Sequence, residues 1–168
     1  MSLQEELSAV LREHGALIAR IARSHESDRG RAEDLVQDIC LAIWEALPRF
    51  RGAASMRTYI ARIAHNRAVS HIARETRVPP LAPLDPYDDA LPSERPSPED
   101  EVAERDARRR LERAVRELPL ALKVAVTLAL EGFSADEVAA VLGISTSAAG
   151  VRLHRAKAAL QERLEEGT

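Results

Sequence analysis

The sequence is poor in most of what disulfide-bonded, membrane-spanning and catalytic proteins are built from. One of its 168 residues is cysteine, Cys40, which excludes an internal disulfide and most thiolate metal sites. On an apolar helix face this thiol reads as a core residue. Aromatics make up 3%, too few for a large aromatic core. No run of about 18 apolar residues is present to cross a bilayer. The opening MSLQEELSAVLREHG is charged and amphipathic where a leader would be apolar, so the expected location is the cytoplasm. Glycine-rich phosphate loops and His-Glu-x-x-His are missing, and the five histidines are scattered. The expectation is a protein that is not an enzyme and needs no cofactor and no metal. Sustained alternation of apolar and polar residues is also lacking, which leaves no strand signal.

What the sequence does have is alanine, leucine, valine and isoleucine among 45% hydrophobic residues, with abundant arginine and glutamate. Alanine loses no side-chain entropy in a helix, so the fold class expected is all-α. The prolines are concentrated: Pro79, Pro80, Pro83, Pro86, Pro92, Pro96 and Pro98 fall within 79–101. Proline removes a backbone donor and pushes its predecessor out of the helical region, so this stretch reads as an extended linker. It holds seven acids against Arg95, a net charge of −6, so the total of −3 leaves +3 on the flanks. An acidic pI therefore does not exclude a nucleic-acid partner. The expected organisation is two small helical domains, 1–78 and 102–168, around the linker 79–101.

In the first domain, 3.6-residue spacing predicts helices over about 2–24, 32–47 and 55–76, the second stopped by Pro48 and the third capped by Ser55. In the second, helices are expected over about 102–118, 120–130, 135–142 and 146–165. Gly132 is placed to end one of them, and Ser134 and Glu137 form a capping box. Across 133–157 the pattern is that of a helix-turn-helix. Ala139 is small where two helices touch, Gly143 makes the turn, and Val138, Leu142, Ile144, Ala149 and Leu153 hold the crossing. Ser145 caps a second helix whose first turn, from Thr146, faces outward. Arg152, His154, Arg155 and Lys157 suit phosphate contacts. Gly150 and Val151 stand where a reading helix usually carries polar side chains, so few bases are expected to be read directly.

From Arg49 to Arg77 the chain carries seven arginines and two histidines against Glu75 alone. Arg67, His71 and Arg74 recur at three to four residues and predict a one-sign stripe along the third helix, which a polyanion would relieve. Phe50 and Tyr59 fit either core packing or base stacking. Asn66 suits a base edge or a backbone bond. Gly52 lets the preceding loop turn sharply. The polar side of the second helix, with Glu33, Asp34, Gln37, Asp38 and Glu45, is acidic and therefore serves solvation or a protein partner.

Ala32-Glu-Asp-Leu-Val-Gln-Asp38, with Trp44 and Pro48-Arg-Phe50, resembles region 2.2 of extracytoplasmic-function (ECF) sigma factors of the sigma-70 class. The segment from Phe50 to Arg67 resembles their regions 2.3 and 2.4, and Glu117-Leu-Pro119 through Leu160 resembles region 4. The resemblance implies that Asp34, Leu35, Gln37 and Asp38 meet core RNA polymerase at its beta and beta-prime subunits. It implies that Arg49, Phe50, Arg51, Gly52, Ser55, Arg57, Thr58, Tyr59, Arg62, Asn66, Arg67 and His71 bind the −10 element of promoter DNA. Ser145, Thr146, Ser147, Ala148, Gly150, Val151, Arg152, His154 and Arg155 would bind the −35 element, and an anti-sigma factor is the expected regulator. Two other readings share these features: a stand-alone helix-turn-helix regulator, and a sigma-like decoy that binds an anti-sigma factor.

Overall fold

The computed structural model describes residues 1–75 and 98–167. All regular structure among them is helical: α1 (Leu3–His25), α2 (Arg29–Ala46), a 3-10 turn (Leu47–Arg49), α3 (Met56–Glu75), α4 (Pro98–Arg116), α5 (Leu120–Leu130), α6 (Ala135–Leu142) and α7 (Thr146–Glu166). The all-α expectation holds. Most of the expected linker lies outside the described residues, but its last four residues are already the first turn of α4. Proline is tolerated there because a first-turn N–H has no intrahelical partner to lose.

Helix starts follow from local chemistry. Ser2 Oγ accepts from the Glu5 N–H at 3.2 Å while Glu5 Oε2 accepts from the Ser2 N–H at 2.7 Å. Asp28 Oδ1 accepts from the Arg31 N–H at 2.8 Å, so α2 begins three residues before the expected Ala32 and takes Gly30 into its first turn. The Ser134–Glu137 box forms as expected, with bonds of 2.7 and 3.2 Å. Gly143 ends α6 at φ 67°, the left-handed turn that the helix-turn-helix needs.

One continuous apolar core runs through both halves of the chain. Leu17, Ile18 and Ile21 of α1, Leu35, Ile39 and Ile43 of α2, and Ile60, Ala61, Ala64 and Ala68 of α3 join Val124 and Leu128 of α5, Phe133 of the turn after it, Val138 and Val141 of α6, and Ala149 of α7. The joint is made by α1 against α5 and α3 against α6. A smaller cluster of Ala114, Leu118, Val126, Ala156 and Leu160 seats α4 on α5 and α7.

Two glycines separate backbone geometry from packing, since a Cβ at Gly143 or Gly150 would meet no atom within 4 Å. Gly143→Ala should destabilise by roughly 1–2 kcal/mol, the cost of a left-handed residue with a side chain. Gly150→Ala, inside α7, should stabilise by up to about 1 kcal/mol. Urea unfolding of both variants checks the opposite signs.

Candidate functional site

The outward face of α2 is set by its period. Asp34, Gln37, Leu41 and Trp44 recur at three to four residues and all are exposed, Leu41 at 61% and Trp44 at 45%. Leu35, expected to dock with them, is 0% exposed and lies in the core. One residue along a helix is about 100° around it, so Asp34 and Leu35 cannot share a face. Leu41 was not expected at the site. Its signal was its register with Asp34 and Gln37, which puts a large apolar side chain in the middle of a polar face. Beside Trp44 it forms an apolar patch rimmed by Asp34, Gln37 and Glu45, the composition of a protein-docking surface.

Asp38 has a second role. Its Oδ2 lies 3.7 Å from Arg67 Nε and 3.5 Å from Arg74. His71 Nε2 sits 3.2 Å from Glu26 Oε2, with side chains only 14% and 12% exposed. The expected free stripe of Arg67, His71 and Arg74 is therefore broken. All three turn toward carboxylates, Asp38 of α2 and Glu26 at the end of α1, which lie 29 to 45 residues away in the chain. Such partners are invisible when one helix is inspected for sign balance. The exposed basic and amide side of α3 is instead Arg62 and Asn66, one turn apart, continuing through Val69 and Ser70.

The loop before α3 is held from both ends. Phe50 and Tyr59 rings pack at 4.9 Å and 44°, and the Tyr59 hydroxyl donates to the Ala46 carbonyl at 3.0 Å. Both are thus committed to fixing the loop. Gly52 turns at φ 74°, and Arg51 donates to the Pro48 carbonyl at 3.3 Å. Ser55 Oγ accepts from the Thr58 N–H at 3.1 Å and donates to Thr58 Oγ1 at 3.0 Å, which confirms the cap and explains why Thr58, expected at DNA, is buried. Arg49 and Arg51 remain exposed. Arg57 does not. Its guanidinium donates to the Glu131 carbonyl and lies 4.2 Å from the centroid of the Phe133 ring, both in the second half of the chain.

In α7, Ser145 Oγ caps the Ala148 N–H at 3.1 Å and Thr146 Oγ1 donates to Asp136 Oδ1 at 2.9 Å, tying the helix to α6. Ser147, Gly150, Val151, His154, Arg155 and Lys157 are exposed, whereas Ala148 and Arg152 are half-buried. The outward surface is therefore small side chains first, then positive charge. That arrangement grips phosphates and admits close approach to a groove more readily than it reads base edges.

Between α1 and α3, two histidines meet. The rings of His25 and His65 are 5.3 Å apart, with His65 Nδ1 at 3.3 Å from His25 Nε2, and His25 Nδ1 is buried without a partner. Burial, then the neighbouring positive charge of His65, Lys123 and His71, pushes His25 down to about 4. Burial and the nearby Arg152 lower His65 as well. Burial pushes the Cys40 thiol up, in keeping with a packing residue. Among the described residues no helix is long and apolar enough to cross a membrane.

This arrangement has known counterparts. Residues 10–78 match Sigma-70 region 2, and residues 108–160 match Sigma-70, region 4. The RNA polymerase sigma factor NccH of Alcaligenes xylosoxydans xylosoxydans is 30% identical over 164 residues, covering 96% of this chain and 88% of that protein. The ECF RNA polymerase sigma-E factor of Escherichia coli K12 is 29% identical over 144 residues, 81% of this chain and 75% of that one. Among solved structures, CnrH in complex with the cytosolic domain of CnrY aligns with a TM-score of 0.66 at 25% identity, over 98% of this chain and 91% of that one. The sigma factor RpoE of Bartonella quintana, in complex with the anti-sigma factor NepR, shares the fold with a TM-score of 0.71 at 23% identity, over 96% of each chain. With both regions present in order, and with apolar-acidic and basic faces on neighbouring helices of region 2, the chain belongs to the sigma-70 class as an ECF-type RNA polymerase sigma factor.

Proposed function

We propose that α2 docks on core RNA polymerase, in the cytoplasm, through Leu41 and Trp44 with Asp34 and Gln37 at the rim. The neighbouring face of α3 and its loop then receives the −10 element. Arg49, Arg51 and Arg62 hold the phosphate backbone, and Asn66 offers an amide to the edge of a base lifted from the duplex. That step costs a few kcal/mol and is least costly at flexible A·T steps. The loop is pinned by Phe50, Tyr59 and Ser55, so little conformational entropy remains to be lost on binding. α7 docks on the −35 element, with His154, Arg155 and Lys157 on phosphates.

The observation that carries this reading is the juxtaposition of two unlike surfaces on helices that share one core. An apolar-acidic patch on α2 rejects DNA and suits protein, while an exposed Arg62–Asn66 face on α3 suits nucleic acid. An anti-sigma factor is the proposed regulator, because the similar CnrH is bound by the cytosolic domain of CnrY and RpoE of Bartonella quintana by NepR.

The test adds the purified protein to core polymerase and follows promoter opening with a fluorescent unpaired-base reporter. Opening only with both components present is expected. Specific duplex binding without core would instead make the protein a stand-alone regulator, and core binding without opening on any promoter tried would make it a decoy. Leu41→Arg should weaken core binding by about tenfold or more, the effect of burying a charge at the centre of an apolar patch, with helicity unchanged by circular dichroism. Arg62→Glu should keep core binding and lose promoter opening. A variant that opens normally would remove Arg62 from the DNA face.

A further inference from the structure

In a helix-turn-helix the first turns of the second helix enter the major groove. Along α7 the outward positions after Thr146 are Ser147, Gly150, Val151 and His154, all exposed. The side chains of Gly150 and Val151 carry no hydrogen-bonding group, so the middle of this face cannot distinguish base pairs by hydrogen bonds. Ser145 is already spent, because its Oγ accepts from the Ala148 N–H at 3.1 Å. Much of the polar chemistry at the groove-facing end comes instead from a pair of side chains, one of which belongs to α6.

Thr146, the first residue of α7, donates from Oγ1 to Asp136 Oδ1 at 2.9 Å across the turn, and both residues are exposed. The turn that sets this distance is well defined: Gly143 lies at φ 67°, and the Ile144 N–H donates to the Ala139 carbonyl at 3.1 Å. Glu137, the other acid in the first turn of α6, is committed to the Ser134 N–H by its capping box. The helix dipole favours an acid in that turn. Asp136, however, stands beside the end of α7 that meets DNA, where a negative charge opposes binding to phosphates. The direction of its bond to Thr146 is set by chemistry. A carboxylate only accepts, so the single hydroxyl proton of Thr146 is committed to it, and Oγ1 keeps only lone pairs for another partner. Together the two side chains present acceptors and no donor.

In the major groove cytosine presents an amino donor, adenine presents an amino donor beside the N7 acceptor, and guanine and thymine present acceptors. An acceptor-only pair is drawn to the two amino bases and repelled by the other two, and adenine N7 costs it part of that gain. We propose that Asp136 is a specificity-determining residue of the −35 site that accepts from the amino group of one cytosine, with Thr146 as its positioning residue. The inference rests on the reading of α7 as the −35 helix and adds the base that it selects. A wrong base leaves the carboxylate stripped of water against another acceptor, so it should weaken binding by about tenfold or more. The small side chains of Gly150 and Val151 fit this arrangement: they let the backbone of α7 approach the base edges, and α6 supplies the discrimination.

The experiment offers the full chain, assembled on core polymerase, a promoter library randomised across both elements, and sequences the DNA that is bound. The wild-type protein should select cytosine over guanine or thymine at one −35 position by about tenfold. Asp136→Asn, which adds a donor at unchanged shape, should reduce that preference to about twofold or less and leave every other position as it was. Thr146→Val should blur the same position, and Thr146→Ser, which keeps the hydroxyl, should retain the preference. Arg155→Gln, at a phosphate contact, should weaken all sequences alike. Loss of stability also acts on all sequences together, so a change confined to one position is not a folding defect. The same base preferences in Asp136→Asn as in the wild type would overturn the proposal. So would a gain in affinity spread evenly over all sequences, which would make Asp136 a repulsive charge and nothing more. A wild-type protein that selects no −35 sequence would instead remove the assignment of α7 itself, and the proposal with it.

Discussion

The arrangement depends on how closely α3 can approach its neighbours. Ala61, Ala64 and Ala68 are all fully buried and fall on one side of the helix, so the contact is made by methyl groups where most cores would place leucine or phenylalanine. Small side chains let α1 and α6 come close to the α3 backbone, and Arg57 of α3 lies against Phe133. Had these positions carried larger residues, the second half of the chain would sit further out and the guanidinium–ring contact would not form. The scarcity of aromatics is thus not only a limit on stability. It fixes which polar groups meet.

The same alanines limit the apolar area that α3 contributes. Burial stabilises by roughly 25 cal/mol per Å² of apolar surface, and a methyl group buries far less than a leucine side chain. The large fully buried residues, Ile18, Ile21, Leu35, Ile39, Ile43 and Ile60, belong to α1, α2 and α3, so most apolar stabilisation falls within the first bundle. Leu128, Val138 and Val141 do the corresponding work in α5 and α6. Val124, Leu128, Phe133, Val138 and Val141 lie in one cluster with the isoleucines of the first bundle, so the joint is apolar as well as polar.

What could be seen in the sequence was whatever chemistry is local. The Ser134–Glu137 box, the Ser55 and Ser145 caps and the Gly143 turn each depend on residues within four positions, and all form. Of the boundaries that moved, the start of α2 did so because Asp28 is its N-cap and Gly30 falls in its first turn, and α4 begins at Pro98, four residues early. The site was only half legible for a related reason. Helical period put Asp34 and Gln37 on the outward side of α2, where they are exposed, but Leu35, which was included because it belongs to a motif and not a face, is buried. Arg67, His71 and Arg74 were assigned to DNA from the sign balance of their own helix. Asp38 and Glu26, which pair with them, arrive from other helices, and no inspection of α3 alone could supply them.

Those pairings change how the first bundle should be understood. Asp38 follows Gln37 of the exposed Leu41–Trp44 face of α2, yet its carboxylate is already shared by Arg67 and Arg74. Each of these side chains is about one-third exposed or more, so the pairs are screened and contribute little to stability. Their effect is on availability: a guanidinium held at a carboxylate is less free to meet a phosphate. Arg57 is withheld by the second half of the chain, Arg67 and Arg74 by α2, while Arg62 and Asn66 stay exposed throughout. The positive charge of the first bundle is therefore graded, with one face ready and the rest held back by contacts weak enough to exchange.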